Sequence, residues 1–441
     1  MMKNKLYIAF CLLVVNNIMG QQSFSLEQAQ EYAIEHSQKT KNATLDLQIS
    51  EKKVWETTAA GLPQVSASGN FKNFIDIPTS VLPASAFNPL APKDQLVGIK
   101  FGTEFNTTGT IQVNQLLFSG NYLVGLQAAK TYTNLSKQLQ EKSKQEIKQD
   151  VAEAYYTVLV LEENIKTLDS MLIKIEDLYK TTKILVENKV IESTNESQLK
   201  LSVLQVQNAK SKIKSQLEVS KSFLKMQMGM DLNTKIELTE TYEDATNKSI
   251  NNTVEKFSVT NNINYQLLET QLMLNELSYK NTKANYLPSL VAFFSHQQNA
   301  QRNEFNFFDK DKDWYPTTVW GLSLNVPIYS SGKRASQVSQ AKLQMKKTEN
   351  TIEELGRGLE LQMIQAKASY NNAKEVYETQ LIAVEVAKEI LKSTTIKYKE
   401  GVVSSMELTQ AQNQLLQTQT ELTNAGFNLI KAKLAIDKLM Y

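Results

Sequence analysis

In Trp320-Gly321-Leu322-Ser323-Leu324-Asn325-Val326-Pro327-Ile328 every even-numbered position is apolar and every odd-numbered one is small or polar. That period of two is the mark of a β-strand with one apolar face. Tyr329-Ser330-Ser331-Gly332 follows, and from Ile328 to Tyr441 there is no proline. A strand feeding a long helix is therefore the expected unit.

The unit occurs twice. Leu62-Pro63 closes one helical segment and opens a strand-like stretch, and Leu287-Pro288 does the same further on. Leu117-Phe118-Ser119-Gly120 opens a long helix, as Tyr329-Ser330-Ser331-Gly332 does. Asn188-Lys189-Val190-Ile191 interrupts the first long helix, and Glu400-Gly401-Val402-Val403 interrupts the second at the same spacing. Such order implies two tandem repeats, each helix, strand, loop, strand, long helix, turn, helix.

All eight prolines fall between Pro63 and Pro92 or between Pro288 and Pro327. Proline breaks helix interiors and central strands, so those windows hold the strands and loops. Val65, Ala67, Gly69 and Phe71 alternate with Gln64, Ser66, Ser68 and Asn70; Ile111 and Val113 continue the pattern, while Leu290 to Phe294 is apolar on both faces. The proline-free parts carry heptad seams: Ala154, Val158, Leu161, Ile165, Leu168, Leu172, Ile175, Tyr179; then Leu199 to Leu224, Ala366 to Tyr398 and Ala411 to Leu429. Off the seams the residues are mostly polar, which predicts narrow stripes and no broad globular core.

The expected divisions are a signal peptide at 1–20, a helix at 21–61, a strand pair with loop at 62–119, a helical hairpin at 120–230 and a linker at 231–251. A helix at 252–286, a strand pair with loop at 287–331 and a second hairpin at 332–441 follow. Phe74 to Thr108 and Ala300 to Trp314 are the expected loops between strands. Each long helix spans 68 residues, roughly 100 Å at 1.5 Å per residue.

Lys3 and Lys5, an apolar run from Leu6 to Val15 and Gly20 read as a secretory signal too short to span a bilayer. Cys11, the only cysteine, lies inside it, so no disulfide or acyl anchor is expected in the mature chain. Charge balances beyond the signal, and arginine occurs only at Arg302, Arg334 and Arg357, which gives no case for nucleic acid. With two histidines, His36 and His296, and no thiol, no catalytic triad, metal cluster or cofactor site is expected; the chain does not read as an enzyme.

Aromatic residues crowd the proline windows, among them Phe74, Phe293, Phe294, Trp314, Tyr315, Trp320 and Tyr329, as at the interfacial girdles of a membrane barrel. Four strands cannot close a barrel, and an open edge cannot face lipid, so such a chain must oligomerise.

Taken together, the duplicated order, the Leu-Pro openings, the Phe-Ser-Gly and Tyr-Ser-Ser-Gly exits and Tyr398-Lys399-Glu400-Gly401 with Glu407 beyond it resemble the TolC-like outer-membrane efflux proteins. The resemblance implies a mainly α protein with membrane β. It would be a homotrimer pooling four strands per protomer into a twelve-stranded transmembrane β-barrel set in outer-membrane lipid, with long coiled-coil helices forming an α-barrel in the periplasm. Partners would be a periplasmic adaptor and an inner-membrane pump, for efflux or type I secretion.

Carried over residue by residue, the resemblance puts a periplasmic aperture at Glu407 and Gln410; matching the heptads of the two repeats places Asn195 and Gln198 opposite, whereas matching the helix caps places Glu196 opposite Glu407. It puts the adaptor-docking tips at Asn188, Lys189, Val190, Glu400, Gly401 and Val402. Ser193 and Ser404 are the expected helix caps, with Glu196 and Glu407 three residues on. The alternative is a periplasmic coiled-coil adaptor, which the duplication disfavours.

Overall fold

The structure is a computed structural model describing residues 22–92, 94–251 and 256–441; the expected signal peptide lies outside the described residues. It is mostly helical, with strands in the proline windows. In chain order β1 (Gln22–Phe24), α1 (Leu26–His36) and α2 (Gln38–Ala59) lead to β2 (Gln64–Asn73), then β3 (Thr79–Pro83) and β4 (Leu96–Lys100). β5 (Phe105–Ser119) runs straight into α3 (Gly120–Glu187), followed by α4 (Ser193–Met228), β6 (Ile236–Leu238), α5 (Tyr242–Asn251) and α6 (Ile263–Ala284). β7 (Ser289–Arg302) and β8 (Tyr315–Asn325) precede α7 (Lys333–Lys399) and α8 (Ser405–Met440). Among the described residues no helix is long and apolar enough to cross a membrane.

Contacts divide the chain into two compact units. One, residues 46–137 and 268–352, holds a four-stranded antiparallel sheet in the order β2-β5-β7-β8. Its registers explain the alternation in the sequence. Val65 lies opposite Val113, Val113 opposite Phe294 and Phe294 opposite Trp320, an apolar row across the sheet. On the other face the rows Ser66-Gln112-Ser295-Val319 and Ser68-Thr110-Gln297-Thr317 are mostly polar, while Gln64-Asn114-Phe293-Gly321 carries one phenylalanine. Both outer strands are bare: every residue of β2 and all but Gly321 of β8 are exposed, whereas β5 and β7 are mostly half-buried.

Several boundaries differ from expectation. Phe105 to Thr108 and Ala300 to Arg302 are strand, not loop, because Phe105 pairs with both Asn73 and Arg302. Phe71, Phe105, Phe305, Phe307 and Trp314 stack in a chain of aromatic contacts that fixes this end of the sheet. The first expected loop contains the β3–β4 ribbon. Val326-Pro327-Ile328 lies outside β8, since Pro327 has no N–H to give the ladder. Beyond it Ser331 and Gly332 turn through positive φ before α7 begins.

The other unit comprises 22–45, 138–267 and 353–441 as described. Around residues 147–160 of α3 the narrow stripe widens into a true core. Ile147, Val151, Tyr155, Val158 and Leu159 pack with Ala29 and Ala33, Leu224 and Met228, Ile236, Ala245 and Ile430. The stretch 231–251, expected as a linker, supplies part of this core through β6, which pairs parallel with β1, and through α5. Its short apolar set, Ile236, Leu238, Tyr242 and Ala245, spans too few residues for either periodicity to register.

The Tyr155 hydroxyl donates to the Phe24 carbonyl at 3.0 Å, and burial pushes its pKa up to about 12. Tyr242 donates to Thr423 O at 2.9 Å beside Gly426, where any Cβ would collide with that hydroxyl. The expected single helix 21–61 is broken at Ser37, which is extended. Gly229, at φ 72°, sits so close to the His36 carbonyl that a side chain there could not fit. The helix expected from 252 begins only at Ile263, and 252–255 lie outside the described residues.

Candidate functional site

The helix tips are where the expected docking residues lie, and both tips end their helices in one way. After α3, Lys189 N donates to Val186 O and Val190 N to Leu185 O, both at 2.9 Å, with Lys189 at φ 57°. After α7, Gly401 N donates to Tyr398 O at 3.0 Å and Val402 N to Lys397 O at 2.9 Å, with Gly401 at φ 74°. This paired closure around a left-handed residue satisfies the last carbonyls of each helix. All six tip residues are exposed.

The helices that follow start differently. Ser404 caps α8 as expected: its Oγ accepts from Glu407 N at 3.3 Å, and Glu407 Oε1 accepts from Ser404 N at 3.4 Å and from its hydroxyl at 3.2 Å. Ser193 does not cap α4. The capping residue is Glu192, with no side-chain bond to the helix, because helical geometry already includes Ser193. Glu196 is thereby freed from the cap and accepts from the Tyr179 hydroxyl at 3.3 Å. Of the expected aperture residues, Glu407 and Gln410 are exposed and Asn195 and Gln198 half-buried. The Asn195 side chain donates to Glu192 O at 3.2 Å.

Beneath the tips Leu178 of α3, Leu199 of α4 and Leu408 of α8 form one buried cluster with Tyr179, Leu391 and Tyr398 against it. The cluster brings the neighbours of Gln198 and Glu407 together, since Leu199 and Leu408 adjoin them in sequence. The hydroxyls of Thr182 and Tyr398 lie 3.1 Å apart and tie α3 to α7. Tyr179 and Tyr398 are legible as seam positions, but periodicity does not reveal that their hydroxyls bridge helices; only the tyrosine that ends the otherwise aliphatic seam at 179 hints at it, since the seam at 366–398 also holds Tyr370 and Tyr377.

Neither histidine joins a reactive group. His36 Nδ1 meets the carbonyl of Tyr32 at 2.9 Å, and His296 Nδ1 meets Thr318 Oγ1 at 2.7 Å. Among the described residues no group of three or more His, Cys, Asp or Glu is placed to hold a metal ion. The geometry at the tips presents two exposed turns, each with a solvent-facing valine, Val190 and Val402, and a carboxylate at Glu407.

The sequence profile of one family, described as outer membrane efflux protein, matches residues 30–229 and 261–440. The chain belongs to that family. Among solved structures the fold is similar to that of CusC, with TM-score 0.74 and 13% identity over 94% of this chain and 92% of that one. It is similar also to the outer membrane protein VceC of Vibrio cholerae, with TM-score 0.69 and 15% identity over 94% and 95%. The CmeC outer membrane channel of Campylobacter jejuni gives TM-score 0.70 and 13% identity over 94% and 85%. No curated protein matches the sequence. Membership makes the chain an outer-membrane efflux protein and disfavours the adaptor alternative; the family and these neighbours are channel proteins, not enzymes.

Proposed function

We propose that three copies pool their sheets into a closed twelve-stranded barrel and act as the outer-membrane duct of a tripartite efflux or type I secretion system. The observation that carries this is the open sheet β2-β5-β7-β8, with the apolar row Val65-Val113-Phe294-Trp320 on one face, mostly polar rows on the other and two bare edges. In a bilayer the unpaired N–H and C=O groups of such edges cost several kcal/mol each, and joining β8 of one copy to β2 of the next removes them. The apolar face then meets lipid and the polar face lines the passage.

In this reading the two halves are tandem repeats, and their helices form the periplasmic tunnel. The tips at 188–190 and 400–402 receive a periplasmic adaptor that links the duct to an inner-membrane pump. Glu407 and Gln410, with Asn195 and Gln198 opposite, line the periplasmic aperture. The expected result is a heat-labile, SDS-resistant trimer in outer-membrane extracts. Cross-linking in detergent that yields only monomers would overturn the closed barrel.

A further inference from the structure

The β3–β4 ribbon belongs to neither wall nor tunnel, and it lacks cover. Val81 pairs with Gly98 and Pro83 with Leu96, which puts Val81, Pro83 and Leu96 on one face; Leu82, Val97 and Ile99 share the other. On the second face Leu82 and Ile99 are half-buried by their own chain and Val97 is 38% exposed, while on the first Val81 is 60% and Leu96 64% exposed. Ile75 and Leu90, flanking the ribbon, are each 93% exposed. A lone two-stranded ribbon is marginal in water, and one that is apolar on both faces needs something over the bare one.

We propose that this bare face is covered by the adjacent copy of the chain, so that the ribbons interlock the trimer at its outer mouth. The inference rests on the trimeric reading above. The ribbon springs from β2, since Phe74 N donates to Glu104 O at 2.7 Å and extends the β2–β5 ladder. β2 is one edge of the sheet, and β8, which starts at Tyr315, is the other. The connection before β8 leans toward its own β2 and β5, where Phe305 and Phe307 meet Phe71. That leaves Tyr315, Pro316 and Thr317 at the top of β8 exposed.

Closing the sheet between copies sets β2 about 4.8 Å from the next β8, which brings the ribbon's root beside this uncovered strand end. Lipid is a poorer occupant in that trimeric reading, because the ribbon follows the end of β2, where Phe71 and Phe105 stand together as the interfacial aromatics of a barrel would. A transient foreign protein is poorer too: within the ribbon strands the only charged residue is Lys100, at the end, so electrostatic steering is slight.

The test uses the purified trimer and a membrane-impermeant maleimide. In the single chain both Leu96 and Asp311 are exposed. Coverage by a second copy makes Leu96→Cys react about tenfold or more slowly than Asp311→Cys. Equal rates overturn the inference, whether lipid, a foreign protein or nothing covers the ribbon in cells. As a second readout, Val81→Glu with Leu96→Glu lowers the temperature at which the trimer dissociates in SDS, and an unchanged temperature counts against the interlock. A wild-type protein that is monomeric fails the trimeric reading itself, a result distinct from either.

Discussion

The turn after α3 and the turn after α7 share a backbone and differ in nearly everything else. Both close with a three-residue and a five-residue hydrogen bond around one left-handed residue, yet that residue is Lys189 in the first and Gly401 in the second. Beyond the turns the contrast grows: Ser404 and Glu407 cap α8 reciprocally, while α4 starts on Glu192 without a side-chain cap and Glu196 bonds instead to Tyr179. The shape of a tip is thus carried by main-chain bonds that several sequences can satisfy. Side chains there are free to differ between the two halves, and the differences are where function can reside.

The largest effect is expected where the shared backbone is made hard to adopt. A β-branched residue at φ 74° is strained by about 1–3 kcal/mol, so Gly401→Val should distort the second tip and abolish export while trimer and barrel remain intact. The mirror change, Lys189→Gly, relieves a left-handed non-glycine residue and should stabilise the first tip by up to about 1 kcal/mol in thermal melts. Export that survives Gly401→Val would show that the tip's shape does not matter for docking.

The same contrast shows what the sequence made legible. Strand faces, long helices and both turns were readable because each rests on local chemistry: alternation in Trp320 to Asn325, proline confinement, and glycine at 401. Lys189 gave no such signal, and only its spacing from Gly401 marked the first turn. The α1–α2 break, β6 and α5 were illegible for a different reason. Phe24, Ala33, Tyr155, Met228 and Ala245 meet from five elements far apart in sequence, so no window of the chain contains the core they form. At the residues expected to line an aperture the sequence marks the positions, but whether a glutamate caps a helix or bonds a tyrosine depends on where the partner helix lies. The misplaced cap at Ser193 is an example.

A smaller effect separates the two helix starts. Ser404→Ala removes an acceptor for the Glu407 N–H and should cost about 1 kcal/mol, whereas Ser193→Ala, inside the first turn of α4 and not its cap, should cost a few tenths at most. Differential scanning calorimetry of the two variants reads the difference. Equal losses would mean that the two starts are energetically alike and that their geometric contrast has no thermodynamic weight.

The smallest expected change concerns conduction. If Glu407 lines the aperture, three copies bring three carboxylates toward one axis, where like charges in a narrow passage attract multivalent cations. Glu196 belongs to the same turn of its own helix but is already engaged by Tyr179, so its carboxylate is held against α3. In planar bilayers Glu407→Ala should weaken block by multivalent cations added from the periplasmic side several-fold, and Glu196→Ala should leave it as it was. The capping bonds of Glu407 do not conflict with this role, because its carboxylate is exposed and only Oε1 is used in them. An unchanged block accompanied by a lower melting temperature would assign Glu407 to the helix start alone. In the proposed reading, any functional difference between the two tips would then lie in the turns at 188–190 and 400–402.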